Sequence, residues 1–393
     1  MRHSLVVLAL GLWAAMAQAE PEVRETPAYT ALPQAEPRLV KALGLTDIRM
    51  THGFIDVEIA GDGAHRLEVL WATPADARAG DNRPAIVITH GNPRRNTHRG
   101  LRLHRYGWLA SEFARRGYIA LVLARRGFGA SSGTYDEWYA ESCAAADADG
   151  YMRGGRQGAK DLRAALAYLS DDPRVDPDRL MTMGVSGGGF ASLALAADPP
   201  PGLVGVINFS GGRGSVSDGR NCNADGLTKA FHTFGHAGAR PSLWLYARTD
   251  RFFWPELVEA HFAGFQAPAR LVMFDDILHA EDGHRLFQRG NTILWRPAMD
   301  EFLRDLGLQT WTADPDGVAL DKPAPSGLST ASKALWLEFL GAEMHRAFAI
   351  GEDGKAAYAS AYPSPADAAA KALETCLGKT TSCRVTTIDE SEP

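Results

Sequence analysis

The residues best suited to chemistry lie in a glycine-rich run, residues 184–188, with the sequence GVSGG. A hydrophobic stretch, RLMTM, ends just before this run, and an apolar helical stretch, FASLALAA, follows it. A serine in a sharp strand-to-helix turn stands exposed above the sheet, where it can act as a nucleophile. The flanking glycines let the backbone adopt the strained conformation of such a turn. We therefore expect Ser186 to be a nucleophile, although an idle serine in a glycine-rich turn would give the same pattern.

A serine at its free pKa is a weak nucleophile and needs a neighbouring base, which an acid holds in place. For a serine in such a turn, the acid and then the histidine follow it along the chain. Asp250 fits the acid, because it ends the stretch LWLYARTD just past a predicted strand. An aspartate that only caps the next helix would look the same. Three others are poorer candidates by position: Asp218, Asp275 and Asp276.

Two histidines follow the last predicted strand and are candidates for the base. His284 is preferred, because it lies in an Asp-Gly-His sequence on a loop just before an amphipathic stretch. His279 lies closer to the end of the strand. We expect the histidine that is not the base to have a surface or supporting role.

Backbone N–H groups should stabilise the negative charge that develops on a carbonyl oxygen under attack. One expected donor is Gly187, the residue after the nucleophile. The other is expected from the sequence HGNP at residues 90–93, which follows a buried strand. Gly91 permits the turn there and Asn92 is the favoured donor, with a plain strand-to-loop turn as the alternative. This chemistry needs no cofactor and no metal, so no residue is assigned to either.

The elements that must position these residues follow from hydrophobic periodicity. Eight strands are expected, near residues 48–60, 66–73, 84–90, 118–124, 180–184, 203–209, 242–246 and 271–274. Helices are expected at residues 104–117, 155–170, 190–197, 255–265 and 297–306, the last two opening on a proline. A starting hairpin followed by strand–helix alternation predicts an α/β fold, with a mostly parallel sheet and helices on both faces.

The chain divides into five predicted segments. They are a signal peptide (1–19), a leader (20–45), a catalytic domain (46–307), a linker (308–330) and a small C-terminal α+β module (331–393). The signal peptide has a short apolar run and an A-x-A cleavage site that ends at Ala19. The mature protein is therefore expected in the periplasm or outside the cell.

Composition excludes several other classes of protein. Of the 393 residues 45% are apolar and 22% charged, which is typical of a globular protein with a sizeable core. A net charge of −6 argues against nucleic acid as a partner. No segment after the signal peptide is apolar enough to span a membrane. Four cysteines without C-x-x-C spacing favour two disulfides over a zinc or redox site, and the sequence alone allows three pairings.

These motifs resemble the α/β-hydrolase superfamily, near its dienelactone-hydrolase-like and prolyl-oligopeptidase-like branches. The matching segments are HGNP (90–93), RRGFGASSG (125–133), GVSGGG (184–189), the Asp250 loop and DGH (282–284). The resemblance covers roughly residues 48–307 and implies Ser186, Asp250 and His284 as a catalytic triad. Two parts depart from it, the cysteine-bearing stretch Thr134–Arg153 and the C-terminal appendage.

The resemblance implies a serine hydrolase and leaves its substrate open, because one fold hosts many functions. We expect hydrolysis of a small-molecule carboxylic ester through an acyl-enzyme. A peptidase or amidase of the same fold is the first alternative, although such peptidases often carry a large N-terminal propeller where only the leader stands here. The second is a catalytically silent binding module. The C-terminal module could still dock another protein or a cell-wall component.

The superfamily's usual strand order bears on the disulfides. Cys376 and Cys383 are close in sequence and are expected to pair within the C-terminal module. Cys143 and Cys222 then pair, although they follow strands three steps apart, or roughly 14 Å. Since a disulfide joins Cα atoms only about 5.5–6 Å apart, their loops must lean together, beside or over Ser186. A bond remote from the site is the alternative.

Overall fold

The protein is described here by a computed structural model of residues 48–93, 97–278, 280–308, 324–340, 342 and 345–388. The expected signal peptide and leader, and most of the expected linker, lie outside these residues. Within the described part of the chain, no helix is both long and apolar enough to cross a membrane.

Eight strands form one central sheet. In chain order the strands of this region are β1 (Ile48–Ile59), β2 (Gly63–Pro74), β3 (Arg83–Thr89), β4 (Ile119–Leu123), β5 (Val175–Val185), β6 (Leu203–Phe209), β7 (Ser215–Ser217), β8 (Arg220–Asn221), β9 (Ser242–Ala247) and β10 (Ala269–Phe274). The sheet order is β1-β2-β4-β3-β5-β6-β9-β10, while β7 and β8 form a separate ribbon. β2 is antiparallel to both its neighbours and the other pairs are parallel, so the expected eight-stranded, mostly parallel sheet is confirmed.

Helices cover both faces of this sheet. They are α1 (Gly107–Arg115), α2 (Ala148–Ser170), α3 (Gly187–Ala197), α4 (Ala224–Phe234), α5 (Pro255–Ala263) and α6 (Thr292–Asp305). Strand β3 shows why its apolar run is continuous: Ala85 and Val87 pack with α2 and α3, while Ile86 and Ile88 pack with α1 and α6 on the other face. A parallel strand buried on both faces needs apolar residues at every position.

Several predicted boundaries were wrong. α2 begins at Ala148 rather than at residue 155, because the Asp147 side chain caps it by accepting from the Gly150 N–H. α6 begins at Thr292, so Pro297 lies inside the helix rather than at its start. α4 and the β7–β8 ribbon were not predicted at all.

The C-terminal module is a separate small α+β unit, as expected. It contains α7 (Thr330–Leu340), β11 (Ala347–Gly351), β12 (Ala356–Ala359), α8 (Pro365–Leu377) and β13 (Cys383–Ile388), with a three-stranded sheet in the order β12-β11-β13. A disulfide joins Cys376 of α8 to Cys383 of β13, the pairing expected from the sequence. The module lies against the central domain, where the Arg102 guanidinium stacks 4.2 Å from the Tyr362 ring centre.

Candidate active site

Ser186 lies between β5 and α3 in a strained backbone conformation, with φ +54° and ψ −120°. Residues other than glycine rarely adopt such angles, and they persist only where the surroundings enforce them. Here the Ser186 N–H donates to the Phe209 carbonyl at 2.9 Å, and the Ser186 carbonyl accepts from the N–H groups of Phe190 and Gly212 at 3.1 and 3.2 Å. These bonds hold residues 184–188, here called the serine turn, at the carboxyl edge of the sheet.

Asp250 and His284 form a hydrogen-bonded pair on loops that follow β9 and β10. The Asp250 side chain is fully buried, and its Oδ2 accepts from His284 Nδ1 at 3.0 Å. Its Oδ1 also accepts from the N–H groups of Phe252 and Phe253, at 2.8 and 3.1 Å. A proton on Nδ1 leaves Nε2 of the imidazole as an acceptor, so this histidine can act as a base.

The carboxylate of Asp282 links the loop that carries His284 (the histidine loop) to the loop that carries Asp250 (the aspartate loop). This role was not predicted. Its Oδ1 accepts from the N–H of His284 at 3.0 Å and from the N–H of Arg251 at 3.2 Å. The Gly283 N–H donates to the Thr249 carbonyl at 3.0 Å, and a β-carbon at Gly283 would overlap the backbone of the aspartate loop. In the sequence, the Asp-Gly pair before His284 is the pattern from which this link could have been predicted.

The phenyl ring of Phe253 connects the histidine to the serine turn. Its ring centre lies 5.7 Å from that of His284, and the ring also lies against Gly212. Within the described part of the chain, the hydroxyl of Ser186 makes no hydrogen bond, either to His284 or to another residue. Catalytic hydrogen bonds often tighten only when substrate binds. His279 lies outside the described residues, so its smaller role stays a prediction.

The loop after β3 packs directly on the serine turn. A β-carbon at Gly91 would lie 2.9 Å from the β-carbon of Ser186, and one at Gly187 would lie 2.6 Å from Asn92 Oδ1. No hydrogen bond from the N–H of Asn92 or Gly187 to another described residue is present. Two backbone donors beside a serine oxygen are what an oxyanion hole requires.

His90 orients the peptide between Gly91 and Asn92. Its Nε2 accepts from the Arg125 N–H at 3.1 Å, so its Nδ1 carries the proton and donates to the Gly91 carbonyl at 2.9 Å. Burial lowers the pKa of His90 well below 6.5, and the charge of Arg125 adds to the effect, so the ring is neutral. Because C=O and N–H of a planar peptide point in opposite directions, this bond turns the Asn92 N–H away from His90.

Residues 134–147, here called the strap, contact the loop that packs on the serine turn, because Tyr135 Oη accepts from Asn92 Nδ2 at 3.1 Å. Cys143 of the strap is bonded to Cys222, with their Cα atoms 4.9 Å apart, which is the pairing expected from the sequence. The Cys222 N–H donates to the Gly214 carbonyl at 2.9 Å. Gly214 stands two residues after Gly212, whose N–H bonds the serine turn. The disulfide therefore fastens the strap to the same segment that supports the serine.

A groove of glycines on α2 receives the strap. Gly150, Gly154 and Gly158 are spaced by four and so share one face of the helix. A β-carbon at Gly150 would overlap the carbonyl oxygen of Tyr139, and one at Gly154 would lie 2.9 Å from the carbonyl oxygen of Glu137. One at Gly158 would lie 3.2 Å from Glu137 Oε1. The strap thus lies against the helix backbone itself.

Among the described residues, no group of three or more His, Cys, Asp or Glu side chains is arranged to hold a metal ion.

Residues 62–234, less than half of the chain, match the family model described as X-Pro dipeptidyl-peptidase (S15 family). No curated protein matches the chain in sequence.

Three solved structures illustrate the structural likeness. An esterase from Pyrococcus furiosus is 15% identical with a TM-score of 0.45, over 68% of this chain and 92% of that chain. Dipeptidyl peptidase 4 from Porphyromonas gingivalis is 16% identical with a TM-score of 0.47, over 65% of this chain and 35% of that one. An acetyl xylan esterase from Paenibacillus sp. R4 is 16% identical with a TM-score of 0.47, over 72% and 90%.

Because these three scores lie below 0.5, the fold assignment rests on the chain's own topology. In the sheet, β2 is antiparallel to its neighbours and β4 lies between β2 and β3. The strained serine turn follows β5. The acid and the histidine follow later strands in the order that this serine turn predicts. By its strand order and its serine turn, the chain has the α/β-hydrolase fold.

Proposed function

We propose that the chain is an exported serine hydrolase that cleaves carboxylic esters through an acyl-enzyme on Ser186. The observation that carries the proposal is the strained, partly exposed Ser186 on the same sheet edge as the hydrogen-bonded pair Asp250–His284. A nucleophile, a base and an oriented acid on neighbouring loops are what acyl transfer requires.

In the proposed mechanism, Ser186 Oγ attacks the ester carbonyl while His284 Nε2 takes its proton. Asp250 stabilises the imidazolium that forms. The tetrahedral oxyanion accepts from the N–H groups of Gly187 and Asn92. The alcohol leaves with the proton from His284. A water molecule, deprotonated by the same nitrogen, then attacks the acyl carbon, and His284 returns this proton to Ser186 Oγ as the acid is released.

A peptidase is the second candidate, and the match to the X-Pro dipeptidyl-peptidase model favours it. Such an enzyme must bind the terminal ammonium of its substrate, for which a carboxylate is the usual partner. Among the described residues, two buried carboxylates near the serine turn are already engaged: Asp250 by His284 and two N–H groups, and Glu137 by two arginines. This engagement supports the ester over the peptide.

The two disulfides support the proposal of export, because disulfides persist in oxidising compartments such as the periplasm. The predicted signal peptide, residues 1–19, agrees with this location.

Labelling with a fluorophosphonate probe tests the nucleophile. We expect wild-type protein to be labelled and to hydrolyse p-nitrophenyl esters, and Ser186→Ala to lose both properties while its circular dichroism is unchanged. Faster cleavage of an X-Pro dipeptide anilide than of any ester would favour the peptidase. Wild-type protein without labelling would identify a silent binding module, and full turnover by Ser186→Ala would refute the proposal.

A further inference from the structure

Three buried charged side chains lie behind the loop that follows β3. Arg125, Glu137 and Arg213 are each at most 4% exposed. Arg125 Nε and Nη2 donate to the two carboxylate oxygens of Glu137, the second at 3.1 Å. Arg213 donates to the same carboxylate through Nη2 and to the Glu137 carbonyl through Nη1, at 3.0 Å. Glu137, which belongs to the strap, therefore bridges two arginines from different parts of the chain.

The remaining donors of Arg125 hold the loop that carries the Asn92 N–H. Nη1 donates to Thr89 Oγ1 and to the His90 carbonyl, both at 2.7 Å. Nη2 donates to Asn92 Oδ1 at 2.9 Å. The planar guanidinium can meet all these acceptors only in one orientation, and the carboxylate of Glu137 fixes that orientation.

Arg213 belongs to the opposite side of the serine turn. It follows Gly212, whose N–H bonds the Ser186 carbonyl, and its own carbonyl accepts from Asn221 Nδ2 at 2.6 Å. Glu137 thus joins the two segments that flank the serine.

The cluster carries a permanent charge. Burial alone would raise the pKa of Glu137, but the charges and hydrogen bonds of Arg125 and Arg213 outweigh it and lower the pKa from 4.5 to about 2. One carboxylate and two guanidinium groups leave a net charge of about +1 behind the backbone donors. Such a preorganised charge favours an anion at the oxyanion position over a neutral carbonyl.

We propose that Glu137 is a positioning residue for the oxyanion hole, acting through Arg125 on Asn92 and through Arg213 on the serine turn. The inference rests on the proposed acyl-transfer function and goes beyond it, because it assigns a role to the strap, to which the sequence motifs assign none. Glu137 touches no reacting atom; it fixes the donors that do.

The chain offers a matched control in Glu112. This carboxylate is 1% exposed and is also bound by two arginines, Arg116 and Arg296, at 3.0 and 3.2 Å. It joins the end of α1 to α6, and within the described residues none of its hydrogen bonds reaches the serine turn. Glu112→Gln therefore reports the cost of breaking a buried ion cluster without disturbing the oxyanion hole.

The test compares Glu137→Gln with Glu112→Gln, below the unfolding temperature of both. Besides kcat and KM on a p-nitrophenyl ester, it measures inhibition by an alkylboronic acid, whose adduct with serine is a tetrahedral anion. For Glu137→Gln we expect kcat and boronate affinity to fall in parallel, on the order of 100-fold, with KM changed less than about threefold. For Glu112→Gln we expect kcat and boronate affinity within about twofold of wild type.

Arg125→Lys keeps the positive charge and provides a second variant if Glu137→Gln does not fold. One ammonium cannot reach the acceptors of the planar guanidinium, so the same parallel loss is expected. Equal losses in Glu137→Gln and Glu112→Gln, or boronate affinity that stays at the wild-type value, would overturn the inference. If the wild-type protein is neither labelled by fluorophosphonate nor inhibited by boronate, the proposed function fails and the inference with it.

Discussion

Single residues of the candidate site differ in how visible they are in the sequence. Ser186, Asp250 and His284 belong to short local patterns, and each follows a hydrophobic strand, so they could be predicted one by one. The partners that hold the site could not, because Arg125 and Arg213 meet at Glu137 from positions far apart in the chain. No local pattern encodes a three-way contact of this kind.

The histidine prediction separates the two candidates. Because the members of a triad act as a unit, His284→Ala should lower kcat by several orders of magnitude. His279→Ala should change kcat only slightly. Steady-state kinetics on one ester, with folding checked by circular dichroism, measure both. The reverse ranking would assign the base to His279.

The pKa of Glu137 predicts how its contribution to stability changes with pH. Because the folded-state value of about 2 lies below the ordinary 4.5, the contribution is complete above pH 4.5 and is lost as the pH falls towards 2. Glu137→Gln should therefore unfold more easily than wild type by about 3 kcal/mol at pH 7, and the difference should shrink between pH 4.5 and 2.

Urea unfolding at several pH values measures this difference. Glu141→Gln removes an exposed carboxylate of the same strap and is the control. A difference between Glu137→Gln and wild type that stays constant down to pH 2 would contradict the low pKa.

At the scale of elements, continuous apolar runs made the parallel strands predictable, since a strand buried on both faces needs apolar residues at every position. Helix starts were harder. Capping by Asp147 moves the start of α2 into a glycine-rich sequence that, taken alone, disfavours a helix. Pro297 likewise lies inside α6 rather than in the first turn, which proline usually prefers.

One prediction concerns the disulfide that holds the strap. Cys143→Ser/Cys222→Ser should raise KM for bulky esters more than for acetate esters. Without the disulfide, the strap is no longer covalently held to the segment that supports the serine. Cys376→Ser/Cys383→Ser in the C-terminal module is the control and should leave both values unchanged. Kinetics on the two ester classes measure the effect, and unchanged rates for both would leave the first disulfide a purely structural role.

At the scale of the whole molecule, the C-terminal module contacts the loop of the candidate base. Glu338 of α7 forms an ion pair with Arg285, the residue after His284, and accepts from Tyr358 Oη at 3.1 Å. The module's α+β composition was predictable from its periodicity, but this contact was not, because it joins side chains 53 positions apart. The expected docking partner for the module stays a prediction.

Loss of this contact should affect turnover. A partly buried ion pair contributes about 1 kcal/mol, so Glu338→Ala should lower kcat about fivefold if the energy is used to hold the histidine loop. Glu374→Ala, which removes an exposed partner of Lys371 in the same module, should have no effect. A double-mutant cycle with Arg285→Ala measures the coupling, and a coupling energy near zero would show that the pair does not act on the site.

The glycine groove has a consequence for the order in which the protein folds. The first eleven residues of α2, 148–158, contain four glycines, and each costs about 1 kcal/mol of helix stability relative to alanine. This half of the helix cannot persist before the strap covers it, whereas residues 159–170 are rich in alanine and leucine. Amide hydrogens of 148–158 should therefore gain protection late in refolding, and formation of the Cys143–Cys222 bond then becomes the step that completes the neighbourhood of the serine.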